Sequence, residues 1–315
     1  MTQSLAFVFP GQGSQAVGML SELAKQEPLI GETFSEASAA LGYDLWQLCQ
    51  DGPVEELNRT DRTQPAILAV SVALWRLWCA QSEARPAFVA GHSLGEYSAL
   101  VAADVIGFAD ALRLVERRGQ LMQQAVAEGE GGMAAILGLD DEKIIEICAA
   151  AAQGEVVSAV NFNAPGQVVI AGQAGAVQRA IDACKEAGAK RAIALPVSVP
   201  SHCALMKPAA EQLANDFAAL EWRAPTITLV QNVTARPAAD TDALRSLLVE
   251  QLYSPVRWVE SIEYLAAQGV TDLVECGPGK VLSGLNKRCA KGVNTHHLDT
   301  IDGFSATRAT FKQGA

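Results

Sequence analysis

Closely paired cysteines are missing from this chain of 315 residues: Cys49, Cys79, Cys148, Cys184, Cys203, Cys276 and Cys289 are scattered singly, without a C-x-x-C. That scatter suggests neither a metal (zinc) site nor a disulfide framework, and reduced, mostly buried thiols are expected. Positive charge is also in short supply. Against 35 Asp and Glu stand 24 Lys and Arg, a net charge of −11, which argues against a nucleic-acid partner because phosphate binding needs a basic face. An acidic protein partner would need a local basic patch. No apolar run reaches the roughly eighteen residues of a membrane span. Met1 to Phe9 is strand-like, with neither a cationic n-region nor a cleavage site. A soluble, cytoplasmic, monomeric protein is expected.

What the chain does have is apolar material, half of its residues, enough for the core of one large domain or of a large and a small one. Leu5 to Phe9 reads as a strand and runs into Pro10-Gly11-Gln12-Gly13-Ser14-Gln15, a glycine-punctuated loop that exposes backbone N–H groups. Helical patterns follow to about Ser82. Pro86 to Ala90 reads as a short buried strand, and Gly91-His92-Ser93-Leu94-Gly95 leads from it into a helical run, Glu96 to Ala103. A long amphipathic helix, Phe108 to Ala127, gives way to Glu128-Gly129-Glu130-Gly131-Gly132, where composition changes.

From Met133 the expected order is strand (Met133 to Leu137), helix (Asp140 to Ala152), strand (Val156 to Asn161), strand (Gln167 to Ala171), helix (Gly175 to Ala187) and strand (Arg191 to Pro196). This βαββαβ order fits a small ferredoxin-like subdomain, 129–197, inserted in a discontinuous large domain made of 1–128 and 198–315. After Pro200, strands near Thr226 to Val230 and Thr271 to Glu275 alternate with helices near Leu205 to Ala219, Thr241 to Leu252, Trp258 to Ala267 and Lys280 to Cys289. The expected fold class is α/β: a large α/β-hydrolase-like domain with a central, mostly parallel sheet, plus the inserted unit.

The strand, sharp turn and helix around Ser93 form a Gly-x-Ser-x-Gly motif. Small residues are needed on both sides because the serine sits in a strained bend that pushes its hydroxyl into the open. The helix N-terminus also aims the N–H of Leu94 at an oxyanion formed on an ester or thioester carbonyl. Ser93 is therefore the candidate nucleophile.

Serine needs a base, usually histidine, and the chain offers only four. His92 precedes the serine on the turn and should point away from it. His202 lies in Val199-Pro200-Ser201-His202-Cys203, at the return from the insert to the large domain, where a loop faces a cleft between the two. The competing base is His297, in the Ser, Asp, His order of an α/β-hydrolase with Asp272.

Six segments together resemble the malonyl-CoA:acyl carrier protein transacylases and the related acyltransferase domains of fatty-acid and polyketide synthases. They are Phe9-Pro10-Gly11-Gln12-Gly13-Ser14-Gln15, Gly91-His92-Ser93-Leu94-Gly95-Glu96-Tyr97, Arg117-Arg118-Gly119, Asn161-Phe162-Asn163-Ala164-Pro165-Gly166-Gln167, Pro200-Ser201-His202 and Glu275-Cys276-Gly277-Pro278-Gly279. The resemblance implies that Ser93 is acylated, that His202 is its base, and that the N–H groups of Gln12 and Leu94 make the oxyanion hole. It implies that Gln251 orients the histidine, through a main-chain carbonyl or its amide, where other families use a carboxylate. From periodicity, Arg113, Arg117 and Arg118 on one helix are equally solvated-face residues; the resemblance singles out Arg118 as the holder of a substrate carboxylate. A planar guanidinium suits that role, since it makes two parallel bonds and stays charged when desolvated.

Asn163, Gln167, Ser201, Met122 and Val281 are candidate cleft-lining residues. Gly277-Pro278-Gly279-Lys280 lacks the spacing of a phosphate loop and reads as a turn and helix start. The reaction implied is transfer of malonyl from malonyl-CoA to acyl carrier protein, without cofactor, since CoA and phosphopantetheine are parts of the substrates. Carrier-protein docking is expected at Lys287, Arg288 and Lys291, with Lys190 and Arg191 as a second choice. A serine esterase, thioesterase or patatin-like hydrolase, and a non-catalytic carrier-binding scaffold, are the alternatives.

Overall fold

Five consecutive apolar residues, Leu5–Phe9, are all buried, the pattern of a strand covered on both faces. The computed structural model describes residues 4–197 and 199–312, and among these are nine strands. They are β1 (Leu5–Phe9), β2 (Phe88–Gly91), β3 (Gly131–Leu137), β4 (Val157–Ala164), β5 (Gln167–Gln173), β6 (Arg191–Ala194), β7 (Thr228–Val230), β8 (Asp272–Glu275) and β9 (Asn294–His297). One sheet has the order β7-β2-β1-β8-β9 with every pair parallel. The expectation of a mostly parallel sheet is thus exceeded. The other has the order β4-β5-β3-β6 with every pair antiparallel, the arrangement of a ferredoxin-like unit.

Register explains why distant sequence segments meet. Phe9 pairs with Gly91 across β1 and β2, and Val8 with Glu275 across β1 and β8. The loops after these three strands therefore leave the sheet side by side, at the C-terminal edge where parallel sheets hold ligands. They are the loops that begin at Pro10, His92 and Cys276. Gly277 is required there, because a Cβ would run into the ring of Pro10. Glu275 holds the adjoining helix, Val281–Cys289, by accepting from the N–H of Leu282 at 3.0 Å and of Ser283 at 2.7 Å. Gly277 to Lys280 is thus a turn and helix start, as the spacing predicts.

The large unit's core gathers around the buried Thr60–Gln81 helix, whose Trp78 touches Phe7, Phe304 and Phe311. The antiparallel sheet has a core of its own, including Ile136, Ile144, Val168, Ile170, Val177 and Ile181. It is joined to the rest through β4: Phe162 donates to the Val256 carbonyl at 3.0 Å, and Val256 to that of Val160 at 2.8 Å.

Most expected elements are present with ends moved by a few residues. The amphipathic helix stops at Gln124 rather than Ala127, and the helix expected to reach Leu252 stops at Glu250. The segment expected from Leu205 to Ala219 is a 3-10 turn, Ala204–Met206, followed by a helix, Lys207–Phe217. Not anticipated were β9 and the helix Ile301–Lys312. Residue 198, where the return to the large domain was placed, lies outside the described residues, as do 1–3 of the strand-like start. Among the described residues no helix is long and apolar enough to cross a membrane.

Candidate active site

The chain reverses between β2 and the helix Gly95–Ala102 within three residues. Ser93 has φ of 51°, left-handed backbone that costs an L-residue about 1–3 kcal/mol. Two glycines make the turn possible: a Cβ on Gly91 would run into the Gly95 carbonyl, and one on Gly95 into that of Phe9. Gly11 lies against the same turn, where a Cβ would sit 3.7 Å from the Leu94 nitrogen. The loop bearing Gln12 is thereby packed on the serine turn. Among the described residues, neither the Gln12 nor the Leu94 N–H has a protein acceptor, and both residues line the cavity beside Ser93.

His202 stands across from the serine, with Nε2 at 2.7 Å from Ser93 Oγ. Its other nitrogen, Nδ1, is 2.7 Å from the main-chain oxygen of Gln251. A carbonyl only accepts, so Nδ1 carries the proton and Nε2 presents a lone pair to the serine hydroxyl. That carbonyl is available because the helix Thr241–Glu250 ends one residue earlier, and the last carbonyls of a helix lack intrahelical partners. The His202 N–H also donates to Leu252 O at 3.0 Å, and its φ is 64°. Burial, reinforced by the positive charge of Arg118, holds the imidazole down to about 3, so it is neutral at ordinary pH.

The competing base is placed elsewhere. His297 Nδ1 pairs with Asp299 at 2.8 Å and His296 Nε2 with Asp272 at 2.9 Å. Both histidines sit on β9, three strand positions from β2, or about 14 Å at the usual strand spacing.

Arg118 is 1% exposed and comes from the helix Phe108–Gln124. Gly119 lets that helix close on its neighbour, since a Cβ there would be 2.6 Å from Asp61 Cα. The close approach brings Arg118 Nη1 to Gln64 Oε1 at 2.8 Å. Its Nη2 reaches Gln251 Oε1 at 3.0 Å and Ser93 Oγ at 3.3 Å, and the guanidinium lies 5.3 Å from the centre of the Tyr97 ring. The hydrogen-bond partners are neutral oxygens, so no carboxylate cancels its charge by direct contact. Arg113 and Arg117 instead form half-exposed ion pairs with Asp110 and Asp216.

A cavity of about 470 Å³ joins these groups. Gln12, Ser93, Leu94, Arg118 and His202 line it, with Met122, Asn163, Ser201 and Val281. Gln251 lies behind this wall, fully buried. His92 also lines the cavity, but its Nε2 is engaged by Asn163 Oδ1 at 2.7 Å and not by the serine. Gln167, expected to line the cleft, does not: its Oε1 turns away and accepts from Arg288 Nη1 at 2.6 Å. Arg288 Nη2 also donates to Pro165 O, so this guanidinium clamps the β4–β5 turn, while Lys287 and Lys291 are exposed beyond it. Lys190 and Arg191 are exposed too, at the start of β6.

Three residues of the site were not singled out from the sequence. Asn232 Oδ1 accepts from the Ser93 N–H at 2.7 Å and its amide donates to Gly91 O at 2.6 Å. Glu96 Oε2 accepts from Gln251 Nε2 at 2.8 Å and from the Asn232 N–H at 3.1 Å. Gln64 anchors Arg118. The available signals were slight: Gln64 ends a polar run, Thr60 to Gln64, and Glu96 is the acid that follows Gly95 in the serine motif.

A profile of the acyl transferase domain matches residues 6–299. The chain is 64% identical over 306 residues to the malonyl CoA-acyl carrier protein transacylase of Escherichia coli, covering 97% of this chain and 99% of that protein. It is 47% identical to the protein of that name from Bacillus subtilis, over 98% of both. An acyl carrier protein S-malonyltransferase from Vibrio cholerae has a solved structure that superposes with a TM-score of 0.94 at 60% identity, covering 97% of this chain and 100% of that one. A malonyl-transacylase solved in complex with its type II PKS acyl-carrier protein superposes at 0.96 with 54% identity, covering 98% and 100%.

Proposed function

The chain belongs to the acyl transferase family, and we propose that it carries the malonyl group of malonyl-CoA to the phosphopantetheine thiol of acyl carrier protein through an ester on Ser93, supplying extender units for fatty-acid synthesis. One observation carries the reading: Ser93 Oγ is 2.7 Å from a neutral imidazole and 3.3 Å from a buried arginine without a carboxylate partner.

His202 Nε2 takes the serine proton as Oγ attacks the thioester carbonyl. The carbonyl electron pair moves onto its oxygen, which the N–H groups of Gln12 and Leu94 hold. Collapse restores the carbonyl and breaks the C–S bond, and the departing sulfur takes the proton from His202. The carrier thiol then gives its proton to His202, attacks the malonyl ester and releases Ser93, which recovers the proton. Each step is a nucleophilic substitution at a carbonyl and calls for no cofactor.

Arg118 holds the free carboxylate of the malonyl group. That contact has a second effect: the added negative charge offsets the arginine field that disfavours a protonated His202. Positioning on Arg118 also presents the ester to the thiol rather than to water. A serine hydrolase would share Ser93 and His202 but has no use for this arginine.

In this reading 1–128 and 198–315 form the catalytic domain, and 129–197 roofs the cleft with Asn161, Asn163 and Val169. The carrier protein docks near Lys287 and Lys291, at the far end of a helix whose first turn lines the cavity. A cytoplasmic location belongs to the same reading.

The test is steady-state kinetics with malonyl-CoA and holo acyl carrier protein both varied. Parallel double-reciprocal lines and malonyl-carrier product are expected. Release of free malonate at a rate indifferent to the carrier would make the protein a hydrolase.

A further inference from the structure

We propose that Glu96 is a positioning residue for acyl transfer, acting through Gln251 and Asn232 on Arg118 and on the serine turn. The inference deepens the malonyl-transfer reading and rests on it.

Gln251 touches His202, Arg118 and the serine turn together. Its main-chain oxygen accepts from His202 Nδ1, its Oε1 accepts from Arg118 Nη2, and its Nε2 donates to Ser93 O at 3.0 Å and to Glu96 Oε2 at 2.8 Å. A side-chain amide is nearly isosteric with its flipped form, so its direction is set by its neighbours alone. Flipped, Gln251 would aim its NH2 at the guanidinium, donor against donor, and its oxygen at the Ser93 carbonyl, acceptor against acceptor. The Glu96 oxygen is the side-chain acceptor that opposes the flip most closely.

The same oxygen accepts from the Asn232 N–H at 3.1 Å, and Asn232 in turn binds the Ser93 N–H. One carboxyl oxygen therefore ties down both clamps on the serine turn, Gln251 at the Ser93 carbonyl and Asn232 at its N–H. That turn needs restraint, because Ser93 is in left-handed backbone. The second oxygen, Oε1, has no hydrogen bond to protein among the described residues, so it can carry a proton without disturbing either contact.

Glu96 is 1% exposed, and burial pushes its carboxyl up to about 7 against the hydrogen bonds from Gln251 and Asn232 and the charge of Arg118. The other ionisable groups around it are neutral near pH 7. Burial raises Tyr97 to about 12, and burial lowers both His202 and His92. Arg118 is the charged neighbour. While Glu96 is protonated, Arg118 keeps an uncancelled charge for the malonyl carboxylate. Once Glu96 ionises it becomes a counter-charge that competes with the substrate.

The experiment compares wild type, Glu96→Gln and Glu96→Ala, reading kcat and KM for malonyl-CoA from pH 6 to 8.5, with thermal midpoints as a check of folding. Gln supplies a carbonyl oxygen in place of the protonated acid, so Glu96→Gln should stay within a few-fold of wild type at pH 6. Glu96→Ala leaves two buried N–H donors without their acceptor; one such loss, carried into catalysis, is worth about 5- to 150-fold, so kcat/KM should fall by at least about fivefold. In wild type, KM for malonyl-CoA should rise above pH 7, by up to about 30-fold at pH 8.5 if only the protonated form binds well. In Glu96→Gln that rise should vanish. A folded Glu96→Gln enzyme that loses as much as Glu96→Ala, or that keeps the wild-type rise in KM, overturns the proposal. Wild-type enzyme that forms no malonyl-serine at all would instead overturn the transferase reading, so the two failures are distinguishable.

Discussion

Removing the Arg118 guanidinium should separate malonyl from acetyl transfer. The group is 1% exposed, bonded to neutral oxygens and 3.3 Å from Ser93 Oγ, so a malonyl carboxylate would meet it largely desolvated. Truncating one partner of a buried, hydrogen-bonded charge pair costs about 2–5 kcal/mol. At about 1.4 kcal/mol per tenfold, Arg118→Ala should lower kcat/KM for malonyl-CoA by roughly 30- to 5000-fold. Acetyl-CoA has no carboxylate to lose, and the variant also removes the charge that disfavours a protonated His202. Acetyl transfer should therefore change far less. Some loss of stability is expected as well, because the amide oxygens of Gln64 and Gln251 lose their donor. Arg118→Lys keeps the charge but not the planar fork and should fall between the two. The assay is CoA release from each thioester at matched enzyme concentration, with folding checked by circular dichroism. Equal losses for malonyl and acetyl would refute a carboxylate-binding role and leave Arg118 as a structural support.

The protonation of His202 gives a pH test: with the imidazole held down to about 3, kcat/KM for malonyl-CoA should not fall between pH 7 and 5, whereas an ordinary histidine would already cost about 30-fold at pH 5. A decline centred near pH 6.5 would contradict the neutral, buried base. Stability should respond in the opposite sense at Glu96. Its folded-state value, about 7, is above the usual carboxylate range, so its contribution is complete below about 4.5 and fades as pH rises through 7; denaturant titrations of wild type and Glu96→Gln should diverge over that interval. Gly119→Ala should force two helices apart, since the added Cβ would be 2.6 Å from Asp61 Cα, costing about 1–3 kcal/mol and raising KM for malonyl-CoA as Arg118 leaves Gln64. Unchanged melting temperature and KM would show that the helix contact does not set the arginine. Charge reversal at Lys287 and Lys291 should raise KM for the carrier protein while leaving acylation by malonyl-CoA alone unchanged, and a parallel loss of both would argue against a docking role.

The parts of the site legible in the sequence are those that local geometry dictates. Gly91, Ser93 and Gly95 announce a sharp strand-to-helix turn because no larger residue fits its flanks, and the apolar run at Leu5–Phe9 marks a central strand. His202 was reachable because histidines are few. What local pattern could not show depends on the tertiary fold. Gln251 as the partner of His202 was implied by the family resemblance alone, since the contact is a main-chain carbonyl, which any residue possesses, and it is free only because a helix stops at Glu250 rather than Leu252. Glu96, Asn232 and Gln251 lie up to 155 residues apart and meet only when three elements pack. The edge strand β9 is polar, Asn-Thr-His-His, and its helix buries only Gly303, Phe304 and Thr307, so neither shows the apolar period that marks a core element.

The central claim, a malonyl ester on Ser93, is tested most directly by intact-protein mass spectrometry after brief exposure to malonyl-CoA, with Ser93→Ala beside the wild type and holo acyl carrier protein added as a chase. The account predicts one malonyl adduct on the wild type, none on Ser93→Ala, and loss of the adduct as malonyl-carrier protein forms. An adduct that persists in Ser93→Ala, or carrier protein that is malonylated while the enzyme never carries the group, would contradict it.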